Sequence, residues 1–234
     1  MGMIYAQGVI SSGKSSLTKI LSDVLGTKAY YEEVSKMPAL KAFYAEGEES
    51  RKDLSFFLQI AFLNYRYGQL QHAKEENNSI LDSSLLSDAL MAKNLYNRGE
   101  FPEIQYFEYR KLAKRMISNV NGKPFDGFPE LIIFIDVPFE LMLEHIEKRG
   151  REMEEIDDDK RAYYKSVWDI YQSWYKSYAE APVLRIDMTK YDFVNSMSDR
   201  KIVLTQILER MVNLSMLSES EYEKIKVDKL EKLV

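Results

Sequence analysis

Eight consecutive residues carry the plainest chemistry in this sequence. Gly8-Val9-Ile10-Ser11-Ser12-Gly13-Lys14-Ser15 fits the pattern G-x-x-x-x-G-K-[ST] without a mismatch. Small residues let backbone N–H groups turn inward around phosphate oxygens, and a helix beginning near Lys14 adds the positive end of its dipole. Lys14 would reach the β and γ phosphates of a nucleoside triphosphate, and the Ser15 hydroxyl would ligate Mg²⁺. Gly8, Ser11, Ser12, Gly13, Lys14, Ser15 and Ser16 form the expected nucleotide-binding set. The plainer alternative is a chance glycine turn before a helix. A phosphate loop alone does not separate kinases from other nucleotide binders.

Such a loop needs a strand before it and a helix after it. Met3-Ile4-Tyr5-Ala6-Gln7 reads as the strand. Leu17, Ile20, Leu21, Val24 and Leu25 recur at helical spacing behind the loop, and Gly26 is a stop. Residues 27–31 and 79–81 read as short strands. Leu131-Ile132-Ile133-Phe134-Ile135 is a continuous apolar run of the kind buried on both faces, and Val183-Leu184-Arg185-Ile186 is a last strand. Residues 53–74 read as a long helix, and the segment 122–127 as a loop. Alternating strands and helices predict an α/β fold, a parallel five-stranded sheet with helices on both faces. Ligands then bind beyond the carboxyl ends of the strands, just after Gln7, Tyr31, Leu81 and Ile135.

The 234 residues carry 45% hydrophobic content and a formal charge of -5, with a pI near 5.3. That suits one compact domain, 1–214, with a charged helical extension over 215–234 whose Ile225, Val227, Leu230 and Leu233 form a weak apolar side. An acidic chain is poorly matched to duplex nucleic acid, which is gripped by its phosphates, so a small-molecule substrate is expected. Cysteine is absent, which excludes disulfides and thiolate chemistry. No apolar run approaches the roughly 20 residues of a spanning helix, and a cytoplasmic protein without membrane partners is the expectation.

Three further polar groups fall where the sheet argument expects chemistry: Tyr31-Glu32-Glu33-Val34, Asp82-Ser83-Ser84 with Asp88, and Arg149-Gly150-Arg151-Glu152-Met153-Glu154. Phe56-Phe57-Leu58-Gln59-Ile60 with Asn64-Tyr65-Arg66 lies between them. In this order, with the phosphate loop, they resemble the deoxynucleoside kinase family, and especially its bacterial deoxyadenosine/deoxyguanosine kinase branch. The resemblance runs to Tyr191-Asp192-Phe193-Val194. It implies a P-loop fold with a helical lid, ATP and Mg²⁺, a purine deoxynucleoside as acceptor, and a homodimer. Glu32 matches the general base that takes the proton from the 5′-hydroxyl; Glu32-Glu33 as a surface acidic pair is the alternative.

Gln59 matches the reader of the base edge, since a primary amide both donates and accepts. Gln59 and Arg66 are nearly two helical turns apart and share a face, where Asp88 would pair with Arg66; a solvated polar stripe is the alternative. Tyr44 and Glu154 match the pair on the sugar 3′-hydroxyl. Arg149 and Arg151 match the lid over the phosphates, where charge stabilisation dominates the chemistry; taken alone, they would be a charged helix end. Asp82 matches the acid near Mg²⁺, and Asp192 with Phe193 the loop on the donor base.

Two positions depart from the family pattern. Ser83 stands where an arginine orients the catalytic carboxylate, and serine supplies neither its charge nor its fork of donors. His145 stands where another lid arginine is common. Removing such a donor costs about 10²- to 10³-fold in rate. Three readings follow: a nucleoside kinase using another cation, a kinase with a shifted acceptor such as a nucleoside monophosphate, or a weak relative that binds nucleotide.

Overall fold

The computed structural model describes residues 2–31, 40, 42–43, 47–76 and 79–233. Its centre is a five-stranded sheet of β1 (Ile4–Gly8), β2 (Ala29–Tyr30), β3 (Ile80–Leu81), β6 (Leu131–Asp136) and β7 (Val183–Asp187), in the order β2-β3-β1-β6-β7. All neighbours are parallel. Ile4 lies between Ile80 and Leu131, and Gly8 opposite Ile135. The fully buried run of β1 and the near-continuous one of β6 are what a sheet covered on both faces requires. The strands β2 and β3 keep only two residues each, shorter than the apolar runs predict.

Eight helices among the described residues cover the sheet: α1 (Lys14–Leu25), α2 (Gly47–Glu75), α3 (Leu85–Asn97), α4 (Glu103–Ser118), α5 (Phe139–Arg149), α6 (Asp158–Ser177), α7 (Met197–Asn213) and α8 (Glu219–Ile225). The second begins six residues earlier than its apolar spacing predicts. Ser84 caps α3 in a reciprocal pair with Ser87, and Asp157 caps α6 by accepting from Lys160 N. Such caps satisfy N–H groups that the first turn leaves open.

The segment read as a loop over 122–127 contains a strand. β4 (Asn119–Val120) and β5 (Lys123–Pro124) form a hairpin whose turn residues, Asn121 and Gly122, both have positive φ. Asn-Gly is the favoured pair for that turn. The tail is also not one amphipathic helix. After α8 it widens into a π-helical turn, Lys226–Leu230, that packs on α7. Leu230 joins the core while Val227 is exposed.

The chain leaves β1 toward β2 and leaves β3 toward β6, on opposite sides of the sheet. The crevice at that reversal, beyond the carboxyl ends of β1 and β3, is where an α/β sheet accepts a ligand. The phosphate loop and Asp82 open onto it. No described helix is long and apolar enough to cross a membrane.

Candidate active site

The loop between β1 and α1 is held by short contacts that its small residues permit. A Cβ on Gly8 would lie 2.6 Å from the Ser12 hydroxyl and 2.9 Å from the Ile135 carbonyl, so no larger residue fits without moving backbone. Gly13 caps α1 at φ 93°, a conformation that glycine adopts without strain. The Lys14 ammonium donates to the Gly8 and Val9 carbonyls at 3.0 and 2.7 Å. The Ser15 hydroxyl donates to Asp82 Oδ2 at 2.6 Å. The Ser11 and Ser12 hydroxyls are buried and take no hydrogen bond among the described residues, which leaves both able to donate to a phosphate.

Phosphate loop, lid and helix α2 meet around one cavity of about 590 Å³. Gly8, Ser11, Ser12, Gly13, Lys14, Ser15 and Ser16 line it, as do Gln59, Arg66, Asp82, Asp88, Arg149, Arg151, Glu154 and Asp192. Glu32 and Tyr44 lie outside the described residues. Phe193 sits apart from this lining. Its ring is buried beneath Gly13, about 3.3 Å from where a Cβ there would sit, and it does not line the cavity. A large apolar ring gains more from that burial than from solvent. Its neighbours Asp192, Val194 and Asn195 line the cavity instead. The carboxyl of Asp192 is held below the usual carboxylate range, chiefly by the Asn195 side chain.

At the far end Arg66 Nε donates to Asp88 Oδ1 at 2.6 Å, and both side chains are almost wholly buried. The Arg66 guanidinium also lies 5.3 Å from the centre of the Phe62 ring. Gln59 is 3% exposed, and its Oε1 is buried with no hydrogen bond among the described residues. A buried carbonyl left so costs about 1–3 kcal/mol and favours a ligand that donates to it. Phe43, Phe62, Met91, Tyr163, Val167 and Tyr171 supply the apolar walls. Tyr163, Val167 and Tyr171 recur at four-residue spacing on α6, a helical stripe that spacing alone does not tell from core packing. Flat aromatic walls with a few polar groups are what binds a heteroaromatic ring.

The lid forms where α5 ends at Gly150. Arg149 Nη2 donates to Glu154 Oε2 in a very short bond, and Arg151 Nη1 reaches Glu154 Oε1 at 3.4 Å. Glu154 thus ties the two lid arginines together. The Tyr164 hydroxyl donates to the Glu154 carbonyl at 3.3 Å, and burial pushes that phenol well above its ordinary range. The end of β6 carries no comparable group. Asp136 is tied to Gln172 and Arg185, so chemistry reaches the site from this strand only through α5 and the lid. Ser83 is buried on the cavity wall.

The model of the deoxynucleoside kinase family matches residues 4–213. The chain belongs to the deoxynucleoside kinase family. A deoxyguanosine kinase of Lactobacillus acidophilus is 38% identical over 213 residues, covering 90% of this chain and 91% of that one. A deoxyadenosine kinase of the same organism is 36% identical over 211 residues, covering 89% and 96%. A deoxyadenosine kinase from M. mycoides, solved with bound dATP, has the same fold at TM-score 0.71 and 24% identity, covering 88% of this chain and 99% of that one. The cavity of this kinase has one half built on β1 and α1, with the phosphate loop, and another built on α2, α3 and α6, with the aromatic walls and Gln59. Replacing Gln59 by Leu should lower kcat/KM for the nucleoside about 10- to 100-fold, through the lost base-edge hydrogen bonds. Steady-state kinetics with ATP saturating would show it as a raised nucleoside KM; an unchanged KM would remove Gln59 from the base site.

Proposed function

We propose that this kinase transfers the γ-phosphoryl group of ATP to the 5′-hydroxyl of a purine deoxynucleoside, with Mg²⁺, in the cytoplasm and as part of nucleotide salvage. One observation carries the reading. A complete phosphate loop and the polar set Gln59, Arg66 and Asp88 face one cavity. The polar set donates and accepts, as a purine edge requires. The relatives named as deoxyguanosine and deoxyadenosine kinases support the purine assignment.

The residues divide the work as follows. Glu32 accepts the proton of the 5′-hydroxyl as that oxygen attacks the γ phosphorus. Lys14, Arg149 and Arg151 stabilise charge on the transferring oxygens. Glu154 and Tyr44 hold the sugar, and Asp192 borders the donor base. Ser15 and Asp82 suit Mg²⁺, because hydroxyl and carboxylate stand 2.6 Å apart beside Lys14. The described residues contain no group of three or more His, Asp or Glu that would form a closed metal cage. Mg²⁺ commonly takes one or two protein oxygens and completes its shell with phosphates and water. The ion would supply charge neutralisation across the β and γ phosphates.

Competition between purine and pyrimidine deoxynucleosides tests the base assignment. The expected result is purine 5′-monophosphate as main product, abolished by a Mg²⁺ chelator. Preference for a pyrimidine would overturn the assignment. A second reading, a nucleotide binder with weak transfer, draws on Ser83, which brings no cation to the acceptor side. It predicts a raised melting temperature with nucleotide and no product.

The proposed homodimer has a candidate face. Phe57 is 70% exposed on α2 and Ile104 76% exposed on α4, with Phe107 and Leu112 beside it. Contiguous exposed apolar groups of this kind mark association surfaces. Replacing Phe57 by Glu should turn a dimer into a monomer in sedimentation analysis. An unchanged sedimentation coefficient would exclude this face.

A further inference from the structure

His145 lies on α5 one turn before Arg149, half-buried, and lines the cavity beside the phosphate loop. Its Nδ1 is 3.2 Å from the carbonyl oxygen of Ser11, a residue 134 positions away. A carbonyl only accepts, so Nδ1 carries a hydrogen and donates. Ser11 has φ 56°, a left-handed conformation that costs energy in a residue with a Cβ. Such a conformation persists where its surroundings hold it, and the imidazole is one of the groups holding it. With Nδ1 committed to the loop, Nε2 is the ring's remaining polar atom. On a neutral ring Nε2 is an acceptor and repels a phosphate oxygen; on a protonated ring it is a charged donor.

The charges around the ring are mixed. The phosphate loop presents Lys14, the loop after β7 presents Asp192, and α5 itself presents Lys148 and Arg149, all lining the cavity. Glu144 and Glu147 of α5 are exposed and do not line it. Lys14, Lys148 and Arg149 are cations and Asp192 is an anion. A nucleoside triphosphate brings several negative charges to this spot and shifts that balance toward the imidazolium.

We propose that His145 is a positioning residue for the donor phosphates, which takes up a proton from solvent as the triphosphate docks. Nδ1–H fixes the Ser11 carbonyl in both states, and Nε2–H then donates to a phosphate oxygen. The inference rests on the loop being the triphosphate site, and it is independent of what accepts the phosphoryl group.

Calorimetric titration of MgATP, without acceptor, into wild type, H145N and H145R tests it. The titrations run at pH 6.5 and 8.0, in two buffers of different ionisation enthalpy, which reads out proton uptake. Wild type should gain about tenfold in affinity at the lower pH relative to H145R, the worth of one charge-assisted hydrogen bond, with net proton uptake. H145R should bind tightly at both pH values without that uptake. H145N keeps an amide donor for Ser11. It should match wild type at pH 8.0 and lack the gain at pH 6.5. Equal proton uptake and equal pH dependence in wild type and both variants would overturn the proposal. Should H145N melt lower than wild type, the comparison with H145R decides alone. Proton-linked ATP binding without transfer to any nucleoside would sink the kinase reading and leave this one standing.

Discussion

Replacing Lys14 by Met should lower kcat about 10³-fold while leaving the melting temperature nearly unchanged. The ammonium bonds two carbonyls of its own loop, Gly8 O and Val9 O, so it lies over the cradle where the β and γ phosphates are to sit. A preorganised cation aimed at developing charge supplies about 3–4 kcal/mol to the transition state. Met keeps most of the length and the apolar stem of the side chain and removes the charge together with its N–H donors. Binding of ATP should weaken much less than turnover falls, because the backbone N–H groups and the helix dipole remain. Steady-state kinetics with direct ATP binding separates the two. Activity within tenfold of wild type would mean that Lys14 does not touch the transferring group.

The second large effect concerns stability. Arg51 is wholly buried and donates to both oxygens of the buried Glu100 at 2.7 and 3.1 Å, and to Asp159 at 2.9 Å. Arg98 completes the cluster at 2.7 Å from Glu100. These contacts tie α2 to the turn after α3 and to the start of α6. Replacing Arg51 by Met leaves Glu100 buried with half its compensation. Breaking such a pair costs about 3–5 kcal/mol, and about 2–4 °C per kcal/mol in a chain of this size. The melting temperature should therefore fall by roughly 10 °C. The double variant with Glu100→Gln should recover much of that, since the stranded charge is then gone.

Arg51 holds the Asp159 carboxyl below the usual range. That share of stability is present above the unfolded carboxylate value and is lost as pH falls through the lowered one. The gap between wild type and R51M should therefore narrow in acid. A fall of less than 2 °C at neutral pH would show that the cluster holds little. The guanidinium also lies 5.0 Å over the Tyr163 ring, which lines the cavity.

How far the sequence carried depends on the range of each contact. The phosphate loop was legible because its parts are consecutive and their spacing is set by backbone geometry. Gln59 and Arg66 were legible because helical periodicity puts them on one face, and the Arg66–Asp88 pair followed from opposite charges near that face. The Arg51–Glu100–Asp159 cluster was not legible, since its members lie 49 and 108 residues apart and three charges of ordinary type give no local pattern. Phe193 shows how packing enters. Family order put it near the donor base, but the ring fills space beneath Gly13 and leaves the cavity to Asp192 and its neighbours. His145 looked like a lost arginine, whereas its bond to Ser11 gives it a contact that only the folded chain brings about.

Enzyme, MgATP labelled at the γ phosphate and each of the four deoxynucleosides, then each monophosphate, should be incubated at high enzyme concentration and the labelled products separated. Labelled deoxyadenosine or deoxyguanosine 5′-monophosphate, lost in K14M, is the predicted result. No labelled product with any acceptor, while ATP still raises the melting temperature, would contradict it; label passing only to monophosphates would give the protein a different acceptor.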